Sequence, residues 1–101
     1  MLLMKEEFVN VTKGHRFGGG EPYEPWTEDV GKLFRTCQRE YGRCVSSVYV
    51  DQKEGPSIRV GWVFQKMDRY EDTGKPYLRE TWITLYEQAD EVVRTHHYRK
   101  L

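Results

Sequence analysis

The stretch that decides the fold runs Val60-Gly61-Trp62-Val63-Phe64-Gln65-Lys66-Met67, then Asp72-Thr73-Gly74, then Arg79-Glu80-Thr81-Trp82-Ile83-Thr84-Leu85. Two runs rich in β-branched and aromatic side chains flank a short polar loop that ends in glycine, which is the pattern of an antiparallel hairpin. Thr73-Gly74 alone makes a poor two-residue loop, because the β-branched Thr73 would need a positive φ. Asp72-Thr73-Gly74 suits a type I turn closed by Gly74 in a G1 bulge. That loop sets Glu71 opposite Lys75, Lys66 opposite Glu80, Phe64 opposite Trp82, Trp62 opposite Thr84 and Val60 opposite Tyr86. Val48, Val50 and Ile58 join this face, which becomes the core. The reverse face then carries Tyr49, Val63, Met67, Ile83 and Leu85. A loop one residue different would swap the faces of the second strand and bring Ile83 and Leu85 beside Trp62 and Phe64.

Upstream, Val30, Leu33, Phe34, Cys37 and Tyr41 recur at three- and four-residue steps and predict an amphipathic helix, with Lys32, Arg35, Arg39 and Glu40 on its other side. Thr27 is its expected N-cap, Glu28 and Asp29 complement the positive end of its dipole, and Gly42 supplies the stop. Further strands are expected at 44–51 and 92–99, beside the long ones at 58–69 and 77–87. Gly-Pro in the 52–57 turn and the polar 88–91 turn join them into a meander. Residues 1–26, punctuated by Gly14, Gly18-Gly19-Gly20, Pro22 and Pro25, read as an irregular arm, with Phe8 to Thr12 able to add a short strand to a sheet edge. The expected fold is therefore α+β: an N-terminal arm over 1–26, then one domain over 27–101 in which one helix packs on a four-stranded antiparallel meander in the order α-β-β-β-β.

A chain of 101 residues has room for one core, and 38% hydrophobic with 14% aromatic residues supplies it. Sixteen basic residues balance sixteen acidic ones, interspersed along both halves, so no segment is a polybasic arm. Nucleic acid is not the default partner of such a chain, since it would have to gather its cations on one face. The apolar start Met1-Leu2-Leu3-Met4 runs at once into Lys5, Glu6 and Glu7, too short for a signal peptide or a span, so a cytoplasmic protein with no membrane partner is expected.

No chemistry-bearing motif stands out. Cys37 and Cys44 match no zinc or redox spacing and read as small core side chains; adjacent His96 and His97 would point to opposite faces of a strand, so no metal or other cofactor is expected. The glycines after Lys13 lead into Glu21 and Pro22, not into Gly-Lys-Ser/Thr, so a Walker loop is ruled out and a turned connector, with Arg16 and Phe17 at its tip, is left. Without a nucleophile elbow, zinc helix or paired carboxylates, an enzyme is not expected. A weaker enzymatic reading would need a pocket where His96 or His97 meets a polar partner. The leading expectation is a protein-interaction module that contacts a second copy or another protein through Tyr49, Val63, Met67, Ile83 and Leu85, aided by Arg16 and Phe17. The alternative is a single-stranded nucleic-acid binder that stacks bases on sheet aromatics beside Arg59, Arg69, Arg79 and Arg94.

Glu7-Phe8-Val9-Asn10-Val11-Thr12-Lys13-Gly14, Phe17-Gly18-Gly19-Gly20-Glu21-Pro22-Tyr23, Val60-Gly61-Trp62-Val63-Phe64 and Glu80-Thr81-Trp82 resemble segments of small proteins encoded by bacteriophages of mycobacteria and other actinobacteria, over most of the chain. That group has no assigned biochemical role and offers no catalytic residues to transfer. The resemblance implies a setting, the cytoplasm of an infected bacterium, and by analogy a protein that binds a host protein or assembles with itself.

Overall fold

The structure is a computed structural model that describes residues 1–49 and 57–87, with Tyr49 and residues 57–59 described by backbone alone. It is α+β, with one helix and a five-stranded antiparallel sheet. The elements are β1 (Leu2–Asn10), β2 (His15–Gly19), α1 (Val30–Tyr41), β3 (Arg43–Tyr49), β4 (Ser57–Arg69) and β5 (Pro76–Glu87), and the sheet order is β2-β1-β5-β4-β3. The three strands expected after the helix are present, while the expected strand over 92–99, residues 52–56 of the expected 52–57 turn and Val50 lie outside the described residues.

The central hairpin adopts the alternative register. Tyr70 N donates to Lys75 O (2.9 Å) and Gly74 N to Tyr70 O (2.8 Å), so the loop is the four residues Glu71 to Gly74 with Gly74 at φ 72°. Gly74 takes the left-handed position expected of it, but one more residue belongs to the loop than a three-residue turn would use. Arg69 consequently opposes Pro76, Lys66 opposes Arg79, Phe64 opposes Thr81, Trp62 opposes Ile83 and Val60 opposes Leu85. Because side chains alternate across the pleat, this one-residue step moves Ile83 and Leu85 into the core and puts Trp82 on the reverse face. Ile83 and Leu85 are 1% and 0% exposed, and Trp82 is 47% exposed.

Residues 1–26 do not form an irregular arm. β1 is nine residues long and lies inside the sheet, with every residue from Leu2 to Asn10 paired to β5. Its sequence, Leu-Leu-Met-Lys-Glu-Glu-Phe-Val-Asn, mixes helix formers with a charged triplet, so its strand character comes from pairing with β5 and not from intrinsic preference. Leu2 and Met4 enter the core, while on the opposite side Glu7 binds Lys5 (3.6 Å) and Arg16 of β2 (3.3 Å). The β1–β2 turn is pinned by buried Asn10: its Oδ1 accepts from Lys13 N (2.9 Å) and its Nδ2 donates to the Tyr70 hydroxyl (2.9 Å).

The helix begins two residues later than expected. Asp29 is its N-cap, accepting from Lys32 N through Oδ1 (3.2 Å), and Thr27 supports the approach by accepting from Asp29 N (3.1 Å). Leu33, Cys37 and Tyr41 are buried, and with Phe34 they cover Leu2, Met4, Val60, Trp62, Phe64, Ile83 and Leu85. Phe34 meets Trp62 edge-on at 5.1 Å between ring centroids. Cys37 is buried and Cys44 packs at the margin of the same core, both with free thiols.

Gly42 ends the helix with φ 98°, and a Cβ there would collide with the backbone oxygen of Gln65 in β4. Gly42→Ala should therefore cost roughly 2–4 kcal/mol in urea unfolding, combining backbone strain with a backbone clash. Gly74→Ala, also at positive φ but with open space around the added methyl, should cost only about 1 kcal/mol.

Candidate functional site

The helix covers one side of the sheet only, and directly opposed residues share a face, so the pairing maps the other side row by row. Leu3 lies beside Tyr86. Lys5, Thr84, Gly61 and Val48 form the next row, then Glu7, Trp82, Val63 and Ser46, then Arg16, Val9, Glu80, Gln65 and Arg43, and finally Leu78 beside Met67. Trp82 stands at the centre of this open face, with Val48 (55% exposed) and Met67 (59% exposed) toward the margins. The Trp82 indole N–H donates to Glu80, whose other carboxylate oxygen accepts from Gln65 (2.8 Å). The ring is thereby held toward Glu80 and away from Gly61.

Gly61 deepens the contour. It lies in the middle of β4 beside the Trp82 row, its φ is not left-handed, and a Cβ built on it would meet nothing within 4 Å. A glycine in a strand interior lowers strand stability, and it often marks a place where a ligand or another backbone comes close. Its missing side chain leaves a notch bordered by Val48, Thr84 and the Trp82–Val63 pair. The open face thus carries a projecting indole and a recess side by side.

Of the residues that the sequence singled out for contact, Val63, Met67 and Arg16 lie on this open face. Ile83 and Leu85 do not, for the register reason given above, and they are wholly inside. Tyr49 opposes Val60, and its side chain lies outside the described residues. Phe17 faces the helix side, stacked on Phe8 at 6.1 Å and edge-on to Tyr77 at 6.4 Å. It belongs to a chain of rings from Tyr41 through Phe8, Phe17 and Tyr77 to Tyr70, over which Lys13 places its ammonium 5.0 Å from the ring centre. Val48, expected inside, is on the open face because it opposes Gly61. Trp82 and Gly61 are the functional candidates that sequence reasoning passed over. The alternative loop length contained Trp82; the signal for Gly61 was a lone glycine within an otherwise β-rich run.

Of the four arginines expected to gather for nucleic-acid binding, the two whose side chains are described, Arg69 and Arg79, lie on opposite sides of the sheet. Arg69 is exposed on the open-face side of β4 and donates to Gly74 O (2.8 Å), while Arg79 lies on the helix side in an ion pair with Asp68 (3.0 Å). The Arg59 side chain, Arg94, His96 and His97 lie outside the described residues. Among the described residues no group of three or more His, Cys, Asp or Glu side chains is placed to hold a metal ion, and no helix is long and apolar enough to cross a membrane. No protein-family model matches the chain, and comparison with curated proteins and with solved structures gives no match.

Two outcomes follow from these placements. Ile83→Ala should cost about 2–4 kcal/mol of unfolding free energy by opening a core cavity, whereas Trp82→Ala should change it by less than about 1 kcal/mol; the reverse order would restore the three-residue loop. Burial, with Glu6 and Glu40 nearby, pushes the Cys37 thiol from 9.0 up to about 12. At pH 8 its thiolate fraction falls about a thousandfold, so in the native protein Cys37 should be silent to a thiol-disulfide reagent that labels it readily in denaturant.

Proposed function

We propose that this chain is a non-enzymatic protein-interaction module that pairs with a second copy of itself through the open face of its sheet. The observation that carries the reading is the exposed Trp82 set beside the Gly61 notch, on a face that none of the described residues covers. In an isologous contact the same patch meets itself about a two-fold axis, so each Trp82 can enter the notch of the other copy. An aromatic at the centre of a patch, with Met67 and charged residues toward its edge, is the composition of such interfaces, and Lys5, Glu7, Arg16 and Arg43 supply the charges. A chain of zero formal net charge puts no long-range repulsion between copies.

Strand spacing and rise give the four-strand face a footprint of roughly 500 Å². That is at the small end for specific complexes, which fits a reversible contact with micromolar dissociation better than an obligate dimer. The resemblance to actinobacterial phage proteins extends the reading to the bacterial cytoplasm, where a host protein bearing a similar apolar strip is the other partner this face would accept.

Light scattering of the full chain from low micromolar to about 1 mM should show a monomer passing into a dimer. Trp82→Glu should abolish the transition. Gly61→Val, which fills the notch with a good strand former, should abolish it too while leaving the melting temperature equal or higher. A monomer throughout the range, or dimers that survive both changes, would overturn the self-pairing. A strong gel shift with mixed single-stranded oligonucleotides at low salt would favour the nucleic-acid reading in its place.

A further inference from the structure

On the helix side, the part of β1 beyond β2 is met by the segment that leads into α1. Met4 N donates to Tyr23 O (2.8 Å) and Tyr23 N to Met4 O (3.0 Å), an isolated bridge that straps residues 20–26 along the sheet edge. Between this strap, β1 and α1 lies a cavity of about 140 Å³. Met4, Leu33 and Cys37 form its apolar floor, and Tyr23, Trp26 and Tyr41 line it with three aromatic rings. Trp26 is 68% exposed, an indole left at the mouth and not drawn into the core.

Among the described residues, the charges lining the cavity are negative. Glu6, which alternates with Met4 and Phe8 along β1, accepts a hydrogen bond from the Tyr23 hydroxyl (2.5 Å), and Glu40 reaches the cavity from α1. Among the described residues no Lys, Arg or His lines it, and no ion pair uses either carboxylate. Burial first, and the nearby Glu6 and Glu40 after it, push the Tyr23, Tyr41 and Cys37 hydrogens toward staying on.

A hard metal ion would need six or more oxygen ligands, which apolar and aromatic walls do not offer. A lysine ammonium is strongly hydrated and loses much by entering such a space. A cation clothed in methyl groups suits all three parts of the wall: carboxylates for its charge, ring faces for its polarised methyls, and aliphatic surface for its bulk. We propose that the cavity bounded by β1, the Tyr23–Trp26 strap and α1 binds a methylated ammonium group, with Glu6 and Glu40 supplying the charge and Tyr23, Trp26 and Tyr41 the rings. The site is on the opposite side of the sheet from the open face and does not depend on pairing there.

The test titrates the full chain with tetramethylammonium chloride at constant ionic strength, read by tryptophan fluorescence and calorimetry, with tert-butanol as the uncharged counterpart of similar shape. Saturable binding is expected for the cation, at least about tenfold tighter than for the alcohol. Trp26→Ala and Glu6→Gln should each weaken it by roughly fivefold or more while far-ultraviolet circular dichroism stays unchanged. Choline and a trimethyl-lysine peptide then distinguish a small-molecule source from a modified protein, the tighter of the two naming it. No response beyond that to sodium chloride, equal affinity for the alcohol, or full affinity in the Trp26→Ala protein would overturn the assignment.

Discussion

The pairing of Trp62 with Ile83 across the β4–β5 hairpin is the constraint on which the rest depends. A four-residue loop with Gly74 in the left-handed region places these two directly opposite each other, and the pleat then dictates where every other side chain of both strands goes. Since β5 is the middle strand of five, its facing is imposed on β1 as well: Met4 opposes Leu85 and Glu6 opposes Ile83. The core, the open face and the lining of the β1 cavity are thus three results of one register.

The second determinant is a mismatch of lengths. A helix of 12 residues is about 18 Å long, whereas the 12 residues of β5 extend about 40 Å, so α1 covers little more than one end of its side of the sheet. Beyond the C-terminus of α1 the uncovered part is filled by the ring chain from Tyr41 to Tyr70 and by the Asn10 hydrogen bonds that tie the β1–β2 turn to Tyr70. Nothing comparable lies over the reverse side among the described residues. One layer of cover on a two-sided sheet leaves Trp82 and its neighbours in contact with solvent, a state that burial against another protein would relieve.

Legibility in the sequence followed how local each determinant was. The helix was read from the spacing of Leu33, Cys37 and Tyr41, and Gly42 and Gly74 from their need for a positive φ, because these are encoded within a few residues. Thr27 and Asp29 are both good capping residues, and the bond from Lys32 N to Asp29 is what makes Asp29 and not Thr27 the N-cap. β1 was legible only in its second half, because Lys5-Glu6-Glu7 obscures the alternation; Glu6 is tolerated on the helix side by the Tyr23 hydroxyl, which comes from far outside any local window. The face of Ile83, Leu85 and Trp82 turned on a single loop residue. Both Trp82 and Ile83 are apolar enough to serve inside, so composition did not discriminate between the two registers. A one-residue slip exchanges the faces of a strand, so the three-residue loop puts the buried Ile83 and Leu85 outside and the exposed Trp82 inside.

The most direct measurement of the register is the pattern of proton contacts between Cα positions across β4 and β5 in a nuclear Overhauser spectrum, where every second opposed pair in an antiparallel ladder approaches closely. The structure requires these contacts among the pairs Trp62–Ile83, Val63–Trp82, Phe64–Thr81 and Gln65–Glu80. Contacts pairing Phe64 with Trp82 and Trp62 with Thr84 instead would return Trp82 to the core and contradict the account at its root.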